Sequence, residues 1–276
     1  MKIDAEKGSG VDLAEQYNIR GYPTTVFVDA DGNEIDRVVG YLPVKRWIGE
    51  IRRIDDGKNT YATLERKLEQ NPDDADVLMR FAEKVRERNR QSERIPELWN
   101  RIKELTDPGS ENHVTAVYKI AEYNAMTQGD PEPLKAFLEE YSEASQRSNA
   151  WQGLVRIYRG QENEEMEAQA FKNTTDEALA QGEASPGLLN SYAWRMAEME
   201  INLKDALKKA DQAVEFVGTE DPQSRAQIMD TKAEVLWKMN RVQDAVQVIN
   251  QCIELQPEDD YFQKQKSKFL EDASEA

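Results

Sequence analysis

Beyond residue 60 the chain is a succession of runs in which apolar residues return every third or fourth position between charged ones. That is the pattern of helices burying one face. Short clusters of Gly, Pro, Asn and Asp separate the runs. Five of them share one core arrangement: Leu78-Met79-Arg80-Phe81-Ala82, Val117-Tyr118-Lys119-Ile120-Ala121, Leu154-Val155-Arg156-Ile157-Tyr158, Leu189-Asn190-Ser191-Tyr192-Ala193 and Met229-Asp230-Thr231-Lys232-Ala233. Their last residues fall at 82, 121, 158, 193 and 233, which are steps of 39, 37, 35 and 40. A second amphipathic run follows each, after a loop such as Gln128-Gly129-Asp130-Pro131 or Met239-Asn240-Arg241-Val242. The period predicts stacked helix-turn-helix units, none able to bury its apolar face alone.

The last unit carries the most detail. Ala233, Asn240, Ala245, Ile249, Cys252 and Pro257 fall where tetratricopeptide (TPR) repeats place small, turn, small, large, small and proline residues. This part of the chain resembles that family, clearly here, fairly at Ala206 and Ala213, and loosely upstream. Asn240 replaces the turn glycine and still tolerates a left-handed backbone. Cys252 then occupies a small-residue slot between helices and reads as a buried structural thiol. Trp99, Trp151, Trp194 and Trp237 lie at helical spacing among Leu and Ala and read as core. The segment from Tyr261-Phe262-Gln263 to Phe269-Leu270 reads as a helix capping the final apolar face.

Residues 1–54 follow another rhythm. Val11 to Tyr17 forms a short amphipathic run. Val26-Phe27-Val28, the turn Asp29-Ala30-Asp31-Gly32-Asn33 and the partly alternating Glu34 to Gly40 predict a β-hairpin, with Gly32 supplying a positive φ. Pro43 opens a further helix with Trp47, Ile48, Ile51 and Ile54 on one face. Between helix and hairpin lies Tyr17-Asn18-Ile19-Arg20-Gly21-Tyr22-Pro23-Thr24-Thr25-Val26-Phe27. This order of landmarks, with Gly32 and Gly40 after it, resembles the second half of a thioredoxin domain, and Lys2-Ile3-Asp4-Ala5-Glu6 resembles the strand before that family's short helix. The resemblance implies a cis bond before Pro23. It also implies a substrate-facing edge at Tyr22, Pro23 and Thr24, where the backbone before the proline pairs with an extended chain.

The family's Cys-x-x-Cys is missing. The chain has one cysteine, Cys252, and dithiol exchange needs two neighbouring sulfurs. The strand leading into that motif is missing with it, which would leave the strands at Ile3 and Val26 with no ladder between them. The expectation is a segment shortened from a longer parent or completed by a partner, with self-association through the incomplete sheet as one route.

Composition narrows the remaining chemistry. The net charge of −17, from 53 acidic and 36 basic residues, argues against nucleic acid. No run approaches the ~20 apolar residues that span a bilayer. One histidine, His113, and one cysteine supply no metal cluster, and no phosphate loop or catalytic triad is present, so neither a metal nor another cofactor is expected. His113 sits at a predicted helix start and reads as structural. The charged N-terminus has no apolar leader; the compartment stays open, extracytoplasmic if a longer parent carries an export signal and cytoplasmic otherwise.

The expected fold is mostly α: a solenoid of TPR-like helix pairs preceded by a partial α/β thioredoxin-like fold. Residues 1–54 form the thioredoxin-like part, 55–72 a connecting helix, and 73–276 the repeats with their capping helix. The expected function is a protein-interaction module whose repeats bind a protein or peptide. The alternatives are a thiol–disulfide oxidoreductase whose Cys-x-x-Cys lies upstream of Met1, and an inert scaffold.

Overall fold

The computed structural model describes residues 2–275 and divides into two compact units, residues 1–144 and 145–276. The first unit opens with α1 (Ser9–Gln16), β1 (Thr24–Val28), β2 (Glu34–Val39) and α2 (Val44–Asp55). Strands β1 and β2 pair antiparallel from Thr24 opposite Val39 to Val28 opposite Glu34, with an irregularity after Phe27. The turn closes at Gly32, whose φ of 84° suits a residue without a Cβ. Phe27 packs against Trp47 of α2 at 6.4 Å between ring centroids.

The strand expected around Ile3 does not form. Residues 2–4 have no regular structure and residues 5–8 turn into α1. A strand exists only where a neighbour receives its backbone hydrogen bonds, and among the described residues the sheet has two strands, β1 and β2. The opening segment instead lies on α1 at Gly10, where an added Cβ would stand 1.9 Å from the Asp4 carbonyl oxygen.

The unit continues with α3 (Tyr61–Gln70), α4 (Ala75–Arg88), α5 (Arg94–Leu105), α6 (Glu111–Gln128) and α7 (Glu132–Glu140). Side-chain oxygens of Thr60, Asp74 and Ser110 accept from the third backbone N–H of α3, α4 and α6, satisfying donors that a helix start leaves free. His113 is buried at the start of α6, with Nδ1 3.2 Å from the Lys103 carbonyl, a structural placement. Tyr61, Leu64, Phe81, Ile95, Trp99 and Ile102 make one continuous core across α3, α4 and α5. Of the expected connecting segment 55–72, Asp55 ends α2, residues 56–59 turn, and α3 packs into this core.

What fastens the hairpin to these helices is charge. Glu34 and Asp36 of β2 have side chains 2% and 1% exposed. Glu34 accepts from Arg37, itself 4% exposed, and from Arg88 of α4 at 2.8 Å. Asp36 meets Arg53 of α2 at 2.6 Å and Lys84 of α4 at 2.9 Å. The Asn18 side-chain amide donates to the Arg88 carbonyl, and the Arg88 guanidinium lies 3.7 Å over the Tyr61 ring.

The second unit holds α8 (Arg147–Gly160), α9 (Glu164–Ala180), α10 (Pro186–Met199), α11 (Leu203–Val217), α12 (Pro222–Lys238), α13 (Val242–Leu255) and α14 (Asp260–Glu275). Helices α8 and α9, α10 and α11, and α12 and α13 pack as successive pairs. Fully buried alanines at 193, 206, 210, 213, 233 and 245 let the helices approach closely. Asn240 turns α12 into α13 at φ 60°, the left-handed conformation its position requires. Cys252 is buried in the α12–α14 core, where burial and then the nearby Asp230 push its thiol up to about 12. Phe262 and Phe269 of α14 close that core, with Phe269 5.6 Å from Trp237.

Asp230 of α12 gives this junction a pH dependence. It is 6% exposed and accepts from the Tyr261 hydroxyl of α14 at 3.0 Å. Burial pushes its carboxyl up to about 6; the Tyr261 hydrogen bond and Lys268 pull it down, while Glu234 pushes it further up. A native pKa above the unfolded value of about 3.9 means that the folded state binds the extra proton between about pH 4 and 6. The stability contributed by this group therefore falls as pH rises through that window. Asp230→Asn is expected to exceed wild type by about 1–3 kcal/mol above pH 6 and to match it below pH 4, measured by urea unfolding across pH. A pH-independent difference would contradict this assignment.

Candidate functional site

Helix α10 has two faces. Leu189, Tyr192, Ala193, Met196 and Ala197 are buried, and Asn190, Ser191, Trp194, Arg195 and Glu198 lie on the other side. With Arg159 of α8 and Phe171 of α9, this second face lines a groove of about 700 Å³. Trp194 is 37% exposed there, contrary to the core placement its helical spacing suggests. Its position relative to the stripe 189, 192, 193, 196 and 197 is the signal that distinguishes it from a core residue.

The groove's ions are paired among themselves. Glu167 of α9, 1% exposed, accepts from Arg195 Nε and Nη2, each at 2.9 Å, and from Arg159 Nε at 2.8 Å. Glu198 adds a second, longer contact to Arg195 at 3.3 Å. Burial pushes the Glu167 carboxyl up, but the hydrogen bonds from Arg195 and Arg159 outweigh it and hold the carboxyl below its ordinary range. The same Glu167 hydrogen bond raises Arg195. Behind the groove, the Tyr192 hydroxyl donates to Asp205 at 2.8 Å and the Tyr192 ring meets Phe171 edge-on. One polar atom is left over: Asn190 Oδ1 is buried and accepts no hydrogen bond among the described residues. A buried acceptor of this kind costs free energy until a donor reaches it.

Tyr22, Pro23 and Thr24 sit together at the head of β1. The Tyr22–Pro23 peptide is cis, Tyr22 is 64% exposed, the Pro23 carbonyl accepts from Gly40 N at 2.7 Å, and the Thr24 hydroxyl donates to the Gly21 carbonyl. Among the described residues no cluster of His, Cys, Asp or Glu has a metal-holding arrangement. Among the described residues no helix is long and apolar enough to cross a membrane.

Residues 5–54 match the family model of a thioredoxin-like domain. Among solved structures, the chain is similar to YrrB, a TPR protein with an unusual peptide-binding site, at 16% identity over 74% of this chain and 97% of that one, TM-score 0.48. It is also similar to BtubC (BKLC) from P. vanneervenii at 12% identity, over 79% and 92% of the two chains, TM-score 0.49. A third likeness is to TPR-like repeats attributed to a Podosopora anserina kinesin light chain, at 13% identity over 67% and 96%, TM-score 0.46. No curated protein matches the chain. The molecule joins this thioredoxin-like segment to helices that pack as successive pairs, the arrangement expected of TPR-like repeats.

Proposed function

We propose that this chain is a protein-interaction module and that the groove on α8 and α10 seats an extended peptide segment of a partner. The observation that carries this reading is the combination of Trp194 with Asn190. An exposed aromatic ring offers apolar area at low entropic cost, and the unpaired Oδ1 beside it calls for an N–H donor, which every peptide backbone carries. Because the groove's arginines are already neutralised by Glu167 and Glu198, recognition rests on backbone and apolar contacts rather than on net charge. The exposed edge at Tyr22, Pro23 and Thr24 is proposed as a second contact for extended chain, supported by the two-stranded sheet among the described residues, in which β1 pairs with β2 on one edge and with no strand on the other.

Dithiol exchange is not part of this reading. Cys252 stands alone, is buried, and has a thiol pushed up to about 12. A display library of short unstructured peptides panned on the full chain tests the proposal. Selected peptides are expected to lose about thirtyfold in affinity with Trp194→Ala, the loss typical of an interface hot spot, and about fivefold with Asn190→Ala. The chain is expected to leave dithiothreitol-driven insulin reduction at its background rate. Selected peptides that bind both variants as tightly as wild type, or a failure to select any, would sink the groove assignment.

A further inference from the structure

Helix α2 leaves an apolar stripe in solvent. Val44, Ile48 and Ile51 stand at i, i+4 and i+7, one face of the helix, and are 71%, 43% and 39% exposed. The helix's other contacts give the direction of this stripe. Trp47 packs on Phe27 of β1, and Arg53 reaches Asp36 of β2 at 2.6 Å, so α2 lies over both strands. At about 100° per residue, Val44, Ile48 and Ile51 point the opposite way from Arg53. The stripe therefore overhangs the free side of β1.

On that same side the backbone of β1 is unpaired. The Pro23 carbonyl accepts from Gly40 N and Thr25 stands opposite Val38, so the ladder's alternation turns the N–H and C=O groups of Thr24 and Val26 away from β2. Among the described residues no strand receives them. Donors and acceptors that alternate along an extended backbone are matched by another extended backbone; water covers one position at a time. Thr24–Val28 also contains no charged residue, the usual device that keeps an edge from pairing. Geometry selects a second copy as the source of the strand. Strands in a sheet stand about 4.8 Å apart, so a dyad midway between β1 and its copy lies about 4.8 Å from the axis of a helix centred over β1 and β2. Two such helices stand about 9.6 Å apart, within the roughly 8–10 Å at which helices pack. One symmetry operation thus closes the edge and covers the stripe, whereas a lone added strand closes the edge and meets the stripe only from below.

We propose that two copies of this chain associate by antiparallel pairing of β1 with β1 about Val26, with their α2 stripes packed on each other across the same dyad. This rests on the reading of the β1 edge as a seat for extended chain, and it names that chain. Lys45 and Arg52 lie a further quarter-turn round α2, exposed, and stay in water when the stripes meet. Five strand residues and one helix stripe make a small contact, at or below about 1,200 Å², so the dimer forms in proportion to concentration.

Sedimentation velocity of the full chain from about 1 μM to about 300 μM is expected to show a reversible monomer–dimer equilibrium. In hydrogen exchange over the same range, the Val26 amide is expected to gain protection as the dimer forms, while the Thr25 amide, directed at β2, stays constant. Ile48→Lys, at an exposed position, is expected to weaken dimerisation about thirtyfold, since each dimer carries the change twice. Val26→Pro removes the outward N–H without touching the ladder to β2, and a similar loss is expected; should it fail to fold, Ile48→Lys and the exchange pattern carry the test. Phe216→Lys, at a similarly exposed position on α11, is expected to leave dimerisation unchanged. Three results would overturn the proposal: a monomer at every concentration, a dimer that Ile48→Lys leaves intact, or a dimer lost equally in Phe216→Lys. A monomer whose Val26 amide is protected by an added acetylated and amidated peptide of alternating valine and threonine removes the self-pairing alone and leaves the edge as a seat for another molecule's strand.

Discussion

Glu34→Ala is expected to destabilise the first unit by about 3–5 kcal/mol, the cost of breaking a buried ion pair from one side. The reasoning starts with Arg37, whose side chain is 4% exposed and whose guanidinium is held by Glu34 through two bonds of 2.7 Å. Without that carboxylate Arg37 keeps its Nη2 bond to the Tyr17 carbonyl but remains a buried cation with no counter-charge on that side. Arg88 loses its link to the hairpin in the same step. A two-stranded sheet is at best marginal alone, so β1 and β2 depend on what they pack against. Denaturant unfolding followed by hydrogen exchange should show the protection of α1 to α4 falling while that of α8 to α14 stays unchanged. Glu34→Gln should lie between, because the amide preserves one acceptor without the charge. A loss under 1 kcal/mol for Glu34→Ala would mean that water screens the pair despite its burial.

This buried network is also where the sequence is least legible. Arg88 lies 54 residues from Glu34 along the chain, and apolar periodicity carries no information about which distant charge a carboxylate will meet. Glu34 and Asp36 stand in a stretch that alternates only in part, which assigns them no face; folded, they are among the hairpin's most buried groups. What periodicity does register is apolar burial at short range. It identified the helix cores ending at Ala82, Ala121, Tyr158, Ala193 and Ala233, all buried, and the placement of Cys252 between helices. Landmark order did the same for the hairpin at Gly32 and the cis bond before Pro23. The strand expected at Ile3 failed for a related reason: local β preference is necessary for a strand, whereas its ladder partner is a tertiary fact. Trp194 shows the limit at the groove. Its neighbours Tyr192, Ala193 and Met196 are core, and residue type alone assigns an aromatic among them to the core as well. Only its angular position on α10 separates it.

Glu167→Ala is expected to cost about 2–4 kcal/mol and to open the groove that Trp194 lines. Two arginines converge on this carboxylate from α8 and α10, so its loss leaves like charges facing each other across the groove floor. Arg195 is three-quarters buried and carries most of the penalty; Arg159 is half-exposed, and water screens its share. Glu198 offsets part of the loss through its 3.3 Å contact to Arg195. The pH dependence distinguishes this carboxylate from Asp230. Here the native pKa is depressed below the unfolded value of about 4.3, so the unfolded state takes up the proton first on acidification. The stabilisation is fully present above that unfolded value and is lost as pH falls through the native one. Wild type should therefore exceed Glu167→Gln by its full margin at pH 7 and converge with it in strong acid, whereas the Asp230→Asn advantage runs the other way, appearing as pH rises. Urea midpoints of the second unit at pH 3, 5 and 7 for the three proteins measure both slopes at once. Equal slopes for the two variants would show that the arginine pair, and with it the shape of the groove, does not depend on the Glu167 charge.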